Sequence, residues 1–288
     1  MVSILLPILG AFLEAAGAVL DKRIIHRLKV NYKAYTIYIF AAIILASLPL
    51  LFFFWNLKPE ALLIKNLSIF FLIVIFSVFA NLLTFYSITR EDLSEVEPVR
   101  LTLPLFTVLL AFIFSFFFEI YKDERNYAII FLGLIASIAL VFAHIRKNRL
   151  YFNKYLIAAL VGSFLYAFEL TLSKSILFFY NPLTFYFLRS LWIFLIVWMF
   201  FYNKLTPLKI KTKLLILIVG VIAVMYRVIL YYGYQTLGVV FTTTLFILAP
   251  VLIYIFAAVF LKEKITKRQI ASSIVIVICV IVAILVGG

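Results

Sequence analysis

The sequence predicts an all-α integral membrane protein with ten transmembrane helices, arranged as two inverted five-helix repeats. Three features of the chain predict it. Two-thirds of the 288 residues are hydrophobic (67%) and 13% are charged, with mean hydropathy +1.20. That leaves too little polar surface to cover a soluble core of this size. Ten apolar runs each approach the roughly 20 residues that span a bilayer as a helix. The sixth run also repeats the first: between Gly10–Lys22 and Gly162–Lys174 six of thirteen positions are identical, at an offset of 152.

The expected spans follow in order. Val2–Leu20 carries Glu14, about 18 Å along a helix rising 1.5 Å per residue. Tyr32–Phe54 and Ser68–Ile88 are continuously apolar, Val96–Phe118 contains Pro104, and Tyr127–Ile145 closes a first repeat over residues 1–145. The second repeat, 155–288, opens with Tyr155–Leu177, which holds Glu169 near its middle. Pro182–Tyr202, Leu214–Tyr234 with Arg227, Val239–Leu261 with Pro250, and Gln269–Val286 complete it. The runs are continuous rather than alternating, so helices are expected and not barrel strands.

Beyond the opening helices the register shifts to an offset of 146, which pairs Asn81 with Arg227, Tyr86 with Tyr232 and Pro104 with Pro250. Five is odd, so a second copy of five spans runs inverted relative to the first. Lysine and arginine divide unevenly between the two sets of connections. Roughly eighteen follow the odd-numbered spans and roughly five follow the even-numbered ones. The positive-inside rule then places the Arg146–Lys154 loop in the cytoplasm and both termini outside a cell membrane.

The formal net charge of +14 is explained by these loops, so no nucleic-acid partner is expected. Cys279 is the sole cysteine and the two histidines, His26 and His144, are isolated; neither a disulfide nor a metal centre is expected. No phosphate-binding loop is present, which excludes ATP hydrolysis by this chain. No cofactor is expected. A membrane-embedded enzyme would need a nucleophile, base or metal cluster that the sequence does not supply.

Ionisable groups deep in a membrane helix are functional candidates by default. Glu14, Glu169 and Arg227 are that deep. Gly162, Tyr166, Glu169 and Ser173 share one helical face, as do Ser77, Asn81 and Thr84, and Arg227, Tyr231 and Tyr234. A stripe through Glu97, Arg100, Pro104, Thr107, Ala111 and Ser115 marks the fourth span. These faces predict a midplane cavity lined by spans 1, 3, 4, 6, 8 and 9. Its substrate-binding candidates are Glu14, Asn81, Arg100, Tyr166, Glu169, Arg227, Tyr231 and Thr243. Glu169 and Glu14 are the proton-coupling candidates, and Pro104 and Pro250 the hinges. Other roles are open at several of these positions. Glu169 and Arg227 can pair only with each other as a structural lock. Glu97 can cap its helix, and Arg100 can snorkel. Tyr231 and Tyr234 can face the lipid interface. Lys174 and Arg189 read as snorkelling anchors near helix ends.

Ala249–Ile284, APVLIYIFAAVFLKEKITKRQIASSIVIVICVIVAI, joins a proline-containing helix to a short turn with Glu263 and a final aliphatic helix. Its first-half counterpart is LPLFTVLLAFIFSFFFEIYKDERNYAIIFLGLIASIALVF, with Glu119 at the turn, and GSFLYAFELTLSK opens the second repeat. These stretches resemble the EamA-like transporters of the drug/metabolite transporter superfamily, across essentially the whole chain. Many such proteins keep both termini in the cytoplasm, and the charge count here departs from that. The resemblance implies a secondary transporter of small organic metabolites or amino acids working by alternating access, with proton coupling compatible with its buried acids. A multidrug or organic-cation exporter and a lipid-carrier flippase are the rival readings, and a passive channel suits two-fold repeats less well. The expected partners are a small-molecule substrate and the lipid bilayer; a homodimer is compatible with the sequence.

Overall fold

The protein is described by a computed structural model covering residues 2–88, 102–144, 154–261 and 266–287. Among these residues regular structure is helical throughout, with one isolated β-bridge between Leu57 and Tyr180. The helices are α1 (Val2–Lys22), α2 (Tyr32–Phe54), α3 (Ile64–Ile88), α4 (Leu103–Phe117), α5 (Tyr127–His144), α6 (Lys154–Leu177), α7 (Pro182–Phe201), α8 (Ile210–Thr236), α9 (Val239–Phe246), α10 (Leu248–Leu261) and α11 (Lys267–Gly287). Seven spans are long and apolar enough to cross a bilayer, α9 and α10 counting together as one. Two shorter apolar helices, Leu103–Phe117 and Tyr127–Val141, accompany them. This is a multi-pass membrane protein.

Several helices outrun the apolar runs that predict them. α8 begins at Ile210 rather than Leu214, because Lys211 and Lys213 join its first turn with their charges exposed. The expected ninth span is not continuous: it breaks at Ile247. Pro250, three residues on, has no N–H to return to Phe246, so the ladder is open at that point. Pro104 lies instead in the first turn of α4, where its missing N–H costs nothing. The predicted start of the fourth span, with Glu97 and Arg100, lies outside the described residues, as do Glu263 and the 146–153 part of the loop assigned to the cytoplasm.

The two halves interlock by exchange. α1 packs on α8 and α3 on α6; α2 meets α7, α5 meets α11, and α4 meets α9. Exchanging each helix for its counterpart in the other half turns the α1–α8 contact into the α6–α3 contact and leaves the other three pairs unchanged. Matching asparagine caps open the second helix of each half: Asn31 Oδ1 accepts from Lys33 N and Asn181 Oδ1 from Leu183 N, both at 2.9 Å.

The connections gather at two ends of the bundle. At one end Tyr35 of α2 donates to Asp21 of α1. There too the Tyr38 hydroxyl donates to Thr206 O at 2.9 Å, and Tyr86 contacts both Tyr32 and Tyr155. At the other end the chain after α2 pairs with the α6–α7 turn: Lys58 N donates to Phe179 O at 2.9 Å and Asn181 N to Asn56 O at 3.0 Å. Thus α6 starts at the end where α1 finishes.

Close approach at the α2–α8 crossing depends on Gly220. A Cβ there would lie 2.8 Å from Ala42 Cβ and 2.9 Å from the Ala42 carbonyl carbon, and backbone cannot swing aside. Gly220→Ala is expected to cost about 1–3 kcal/mol, seen as a lower unfolding temperature in detergent. Gly17→Ala, whose added methyl meets only Ile222 Cγ2 at 3.4 Å, leaves it near the parent value.

Candidate functional site

The centre of the bundle holds a buried ion pair. Glu169 lies midway along α6 with its side chain 0% exposed, and Arg189 of α7 is 1% exposed. Arg189 Nε sits 2.8 Å from Glu169 Oε1 and also donates to Ser77 Oγ on α3 at 3.0 Å. The Tyr231 hydroxyl of α8 donates to the same carboxylate oxygen at 3.2 Å. Four helices from both halves therefore meet on one charge pair. The snorkelling expected of Arg189 is corrected: it lies about 10 Å into α7, where burial in protein leaves the charge a carboxylate partner rather than water. The lock considered between Glu169 and Arg227 is likewise replaced by Glu169 with Arg189.

Beside the pair lies a cavity of about 210 Å³. Glu14, Asn81, Tyr166, Arg227 and Thr243 line it, together with Pro104 and Pro250. Glu169 and Tyr231 do not reach its surface; they stand behind Arg189, which does. Arg100 lies outside the described residues. The wall also draws on α2, through Ile39, Phe40 and Ile43, and on α7, through Tyr186 and Arg189. Those helices were not expected to contribute, and they do because α2 and α7 pack across the two halves. Asn81 and Arg227, paired at the 146 offset, occupy equivalent places on α3 and α8. Asn81 spends one amide hydrogen on Ser77 O at 2.7 Å.

Arg227 is 6% exposed. Its Nη2 donates to the Tyr166 hydroxyl, and its guanidinium carbon lies 4.7 Å from the Tyr166 ring centre and 5.4 Å from that of Tyr226. Such stacking stabilises a partly desolvated cation. Asp21 lines the cavity near the α1–α2 connection and accepts from Tyr35. Tyr234 is buried rather than at a lipid interface, its hydroxyl 3.3 Å from Thr243 Oγ1.

The opposite end is tied shut by a second carboxylate. Glu124, 3% exposed, sits in the turn Glu119–Glu124 and accepts from the first amides of α9, Val239 N at 2.6 Å and Val240 N at 2.8 Å. Lys174 of α6 pairs with it, so that lysine is also no free anchor. A carboxylate here complements the positive end of α9. Gly238 gives it room, at φ +86° and with no Cβ to strike Glu124 Oε1 2.9 Å away. Tyr121 O–H donates to Thr171 O at 2.6 Å; burial, with the Glu124 charge adding, holds its phenol well above the usual tyrosine range. Gln235 Nε2 spans Leu177 O at 2.6 Å and Tyr180 O at 3.0 Å. Glu119, matched to the family's turn glutamate from sequence, is instead exposed and pairs with Lys122.

The EamA-like transporter model matches residues 1–142 and again 153–285. The chain belongs to the EamA-like transporter family. It is therefore a membrane transporter of small molecules built as two repeats. No curated protein matches the sequence. A solved structure titled only as the crystal structure of a protein shares the fold of this EamA-like chain. Its TM-score is 0.72 at 13% identity, covering 100% of this chain and 99% of that one.

Among the residues of this EamA-like site that sequence reasoning did not single out are Arg189, Tyr226, Tyr186, Asp21 and Glu124. Arg189 was read as a snorkelling anchor near a helix end, although its place seven residues into the apolar run was a signal for burial. Glu124 lay in a charged turn with no periodicity to single it out.

The pair predicts a stability cycle. Glu169→Gln and Arg189→Gln each strand one buried charge, at a cost of about 3–5 kcal/mol. Combining them is expected to recover most of that loss, whereas Glu169→Gln with Arg227→Gln recovers none. Thermal unfolding of the four purified variants measures it.

Proposed function

We propose that this chain is a secondary transporter that carries small organic metabolites or amino acids by alternating access, through ten spans in two inverted five-helix repeats. The observation that carries the reading is one polar cavity between interlocked halves, tied shut at one end and reaching toward the other. The tied end holds Glu124, Lys174, Gln235 and the Leu57–Tyr180 bridge. The cavity extends toward Asp21, Phe85 and Pro104, where α1 and α3 end and α4 begins. Exchange of contacts between halves is what a rocking mechanism needs, because each arrangement has a two-fold counterpart. The break at Ile247 beside Pro250, and Pro104 opening α4, supply the hinge positions. The lysine-bearing connections after α1 and α7 lie at the cavity end, and the charge distribution of the sequence supports reading that end as cytoplasmic, with both termini outside.

Glu14 faces the cavity and is the proton-coupling residue favoured here; Glu169 is held by Arg189. A cation exporter finds support in Glu14 and Asp21, but Arg227 on the same wall opposes a purely cationic substrate.

Reconstituted into liposomes, the chain is expected to show saturable solute uptake, accelerated by unlabelled solute on the far side. A pH gradient is expected to change the rate severalfold, and Glu14→Gln to abolish that dependence. Unsaturable flux, with no acceleration from the far side, contradicts the carrier reading.

A further inference from the structure

Resting on the transporter reading, we propose that Arg227 and Tyr166 form a subsite for a carboxylate, making a carboxylate group the compulsory part of the solute. Arg227 is the cation of the cavity wall left without a carboxylate. Among the described residues none lies within ion-pair distance of it, since the nearby Glu169 is bound by Arg189. Its Nη1 is buried and makes no hydrogen bond, while Nη2 is satisfied by the Tyr166 oxygen. A buried guanidinium nitrogen without a partner is a costly arrangement. A carboxylate in the cavity would complete it; Arg189 Nη2 is likewise without a hydrogen bond, but that charge is already paired with Glu169.

The donor set selects the ligand. Tyr166 accepts from Arg227, so its own hydroxyl hydrogen is left to donate. Nη1–H, left without an acceptor, and Tyr166 O–H then offer two donors on neighbouring groups, the number that a carboxylate's two oxygens accept. A phosphate dianion would bring twice the charge to a wall whose other arginine is already neutralised. Tyr226 stacks beside the Arg227 guanidinium, and Tyr186, which stacks on Arg189, lines the same cavity; such aromatic walls suit a solute with a flat apolar body. Glu14 and Asp21 on the same cavity accept an ammonium in that solute, so zwitterions remain within the class.

The test separates binding from transport. Full-length protein is titrated with benzoate, benzamide, benzylamine and phenyl phosphate by thermal shift and calorimetry, and uptake of each is followed in proteoliposomes. Benzoate is expected to bind and to be carried, and benzamide and benzylamine to bind at least tenfold more weakly. Arg227→Gln is expected to weaken benzoate at least thirtyfold, and Tyr166→Phe about five- to tenfold. Tyr166→Phe leaves the arginine in place, so it reports even where Arg227→Gln does not fold. Equal or tighter binding of the amide or amine overturns the carboxylate subsite and leaves the transport reading standing. Preference for phenyl phosphate overturns it in favour of a phosphate. Benzoate bound through Arg227 and never carried supports the subsite and contradicts transport.

Discussion

The arrangement depends on Arg189. One guanidinium on α7 reaches Glu169 on α6 and Ser77 on α3, and the same carboxylate collects Tyr231 from α8. α6 and α7 cannot part without stranding a charge in a medium where an unpaired ion costs several kcal/mol, and α3 and α8 are joined to the pair by hydrogen bonds. Replacing such a pair with well-packed apolar side chains is often neutral for stability, so its presence speaks for specificity of arrangement more than for raw stability. It also sets the electrostatics of the cavity. With Glu169 neutralised behind the wall, the charges that face a solute are Arg227 on one helix and Glu14 and Asp21 on another.

A second constraint acts at the end opposite the cavity. Glu124 gathers Lys174 and two amides at the start of α9, while the backbone after α2 pairs with the α6–α7 turn. These contacts come from both halves and tie them together at that end; at the cavity end the Tyr38–Thr206 hydrogen bond and the Tyr86–Tyr155 ring contact also cross between them. A charge-assisted network of this kind is strong when dry and weak when water enters. Such a network suits the closed end of the carrier proposed above.

Much of this was legible in the sequence. Apolar runs placed the second helix at Tyr32–Phe54, as observed, and most of the others to within a few residues, because the end of a membrane helix is marked by where charge resumes; the ninth breaks at Ile247 and the start of the fourth lies outside the described residues. The repeat was legible at Gly10–Lys22, and the depth of Glu169 marked it as buried. The partner of Glu169 was not legible. Arg189 and Arg227 are both single arginines in apolar runs, and only the packing of α6 on α3 and α7 decides which meets the acid. The second cap, Asn181, stood at an offset of 150 from Asn31, between the two offsets that the opening helices and the later spans obey. Glu124 had no pattern to reveal it, since a turn residue acquires its role from the helix N-terminus brought to it.

The central claim is a cavity between the halves that opens at the Asp21 end and is closed at the Glu124 end. Cys279 is the sole cysteine and is buried, so Cys279→Ser gives a background for single cysteines at Thr84 and Ala223 on the cavity wall. Impermeant thiol reagents are applied from each side of oriented vesicles. Labelling is predicted only from the side carrying the α1–α2 and α7–α8 connections. Labelling from the Glu124 side alone, or equally from both, would contradict the account.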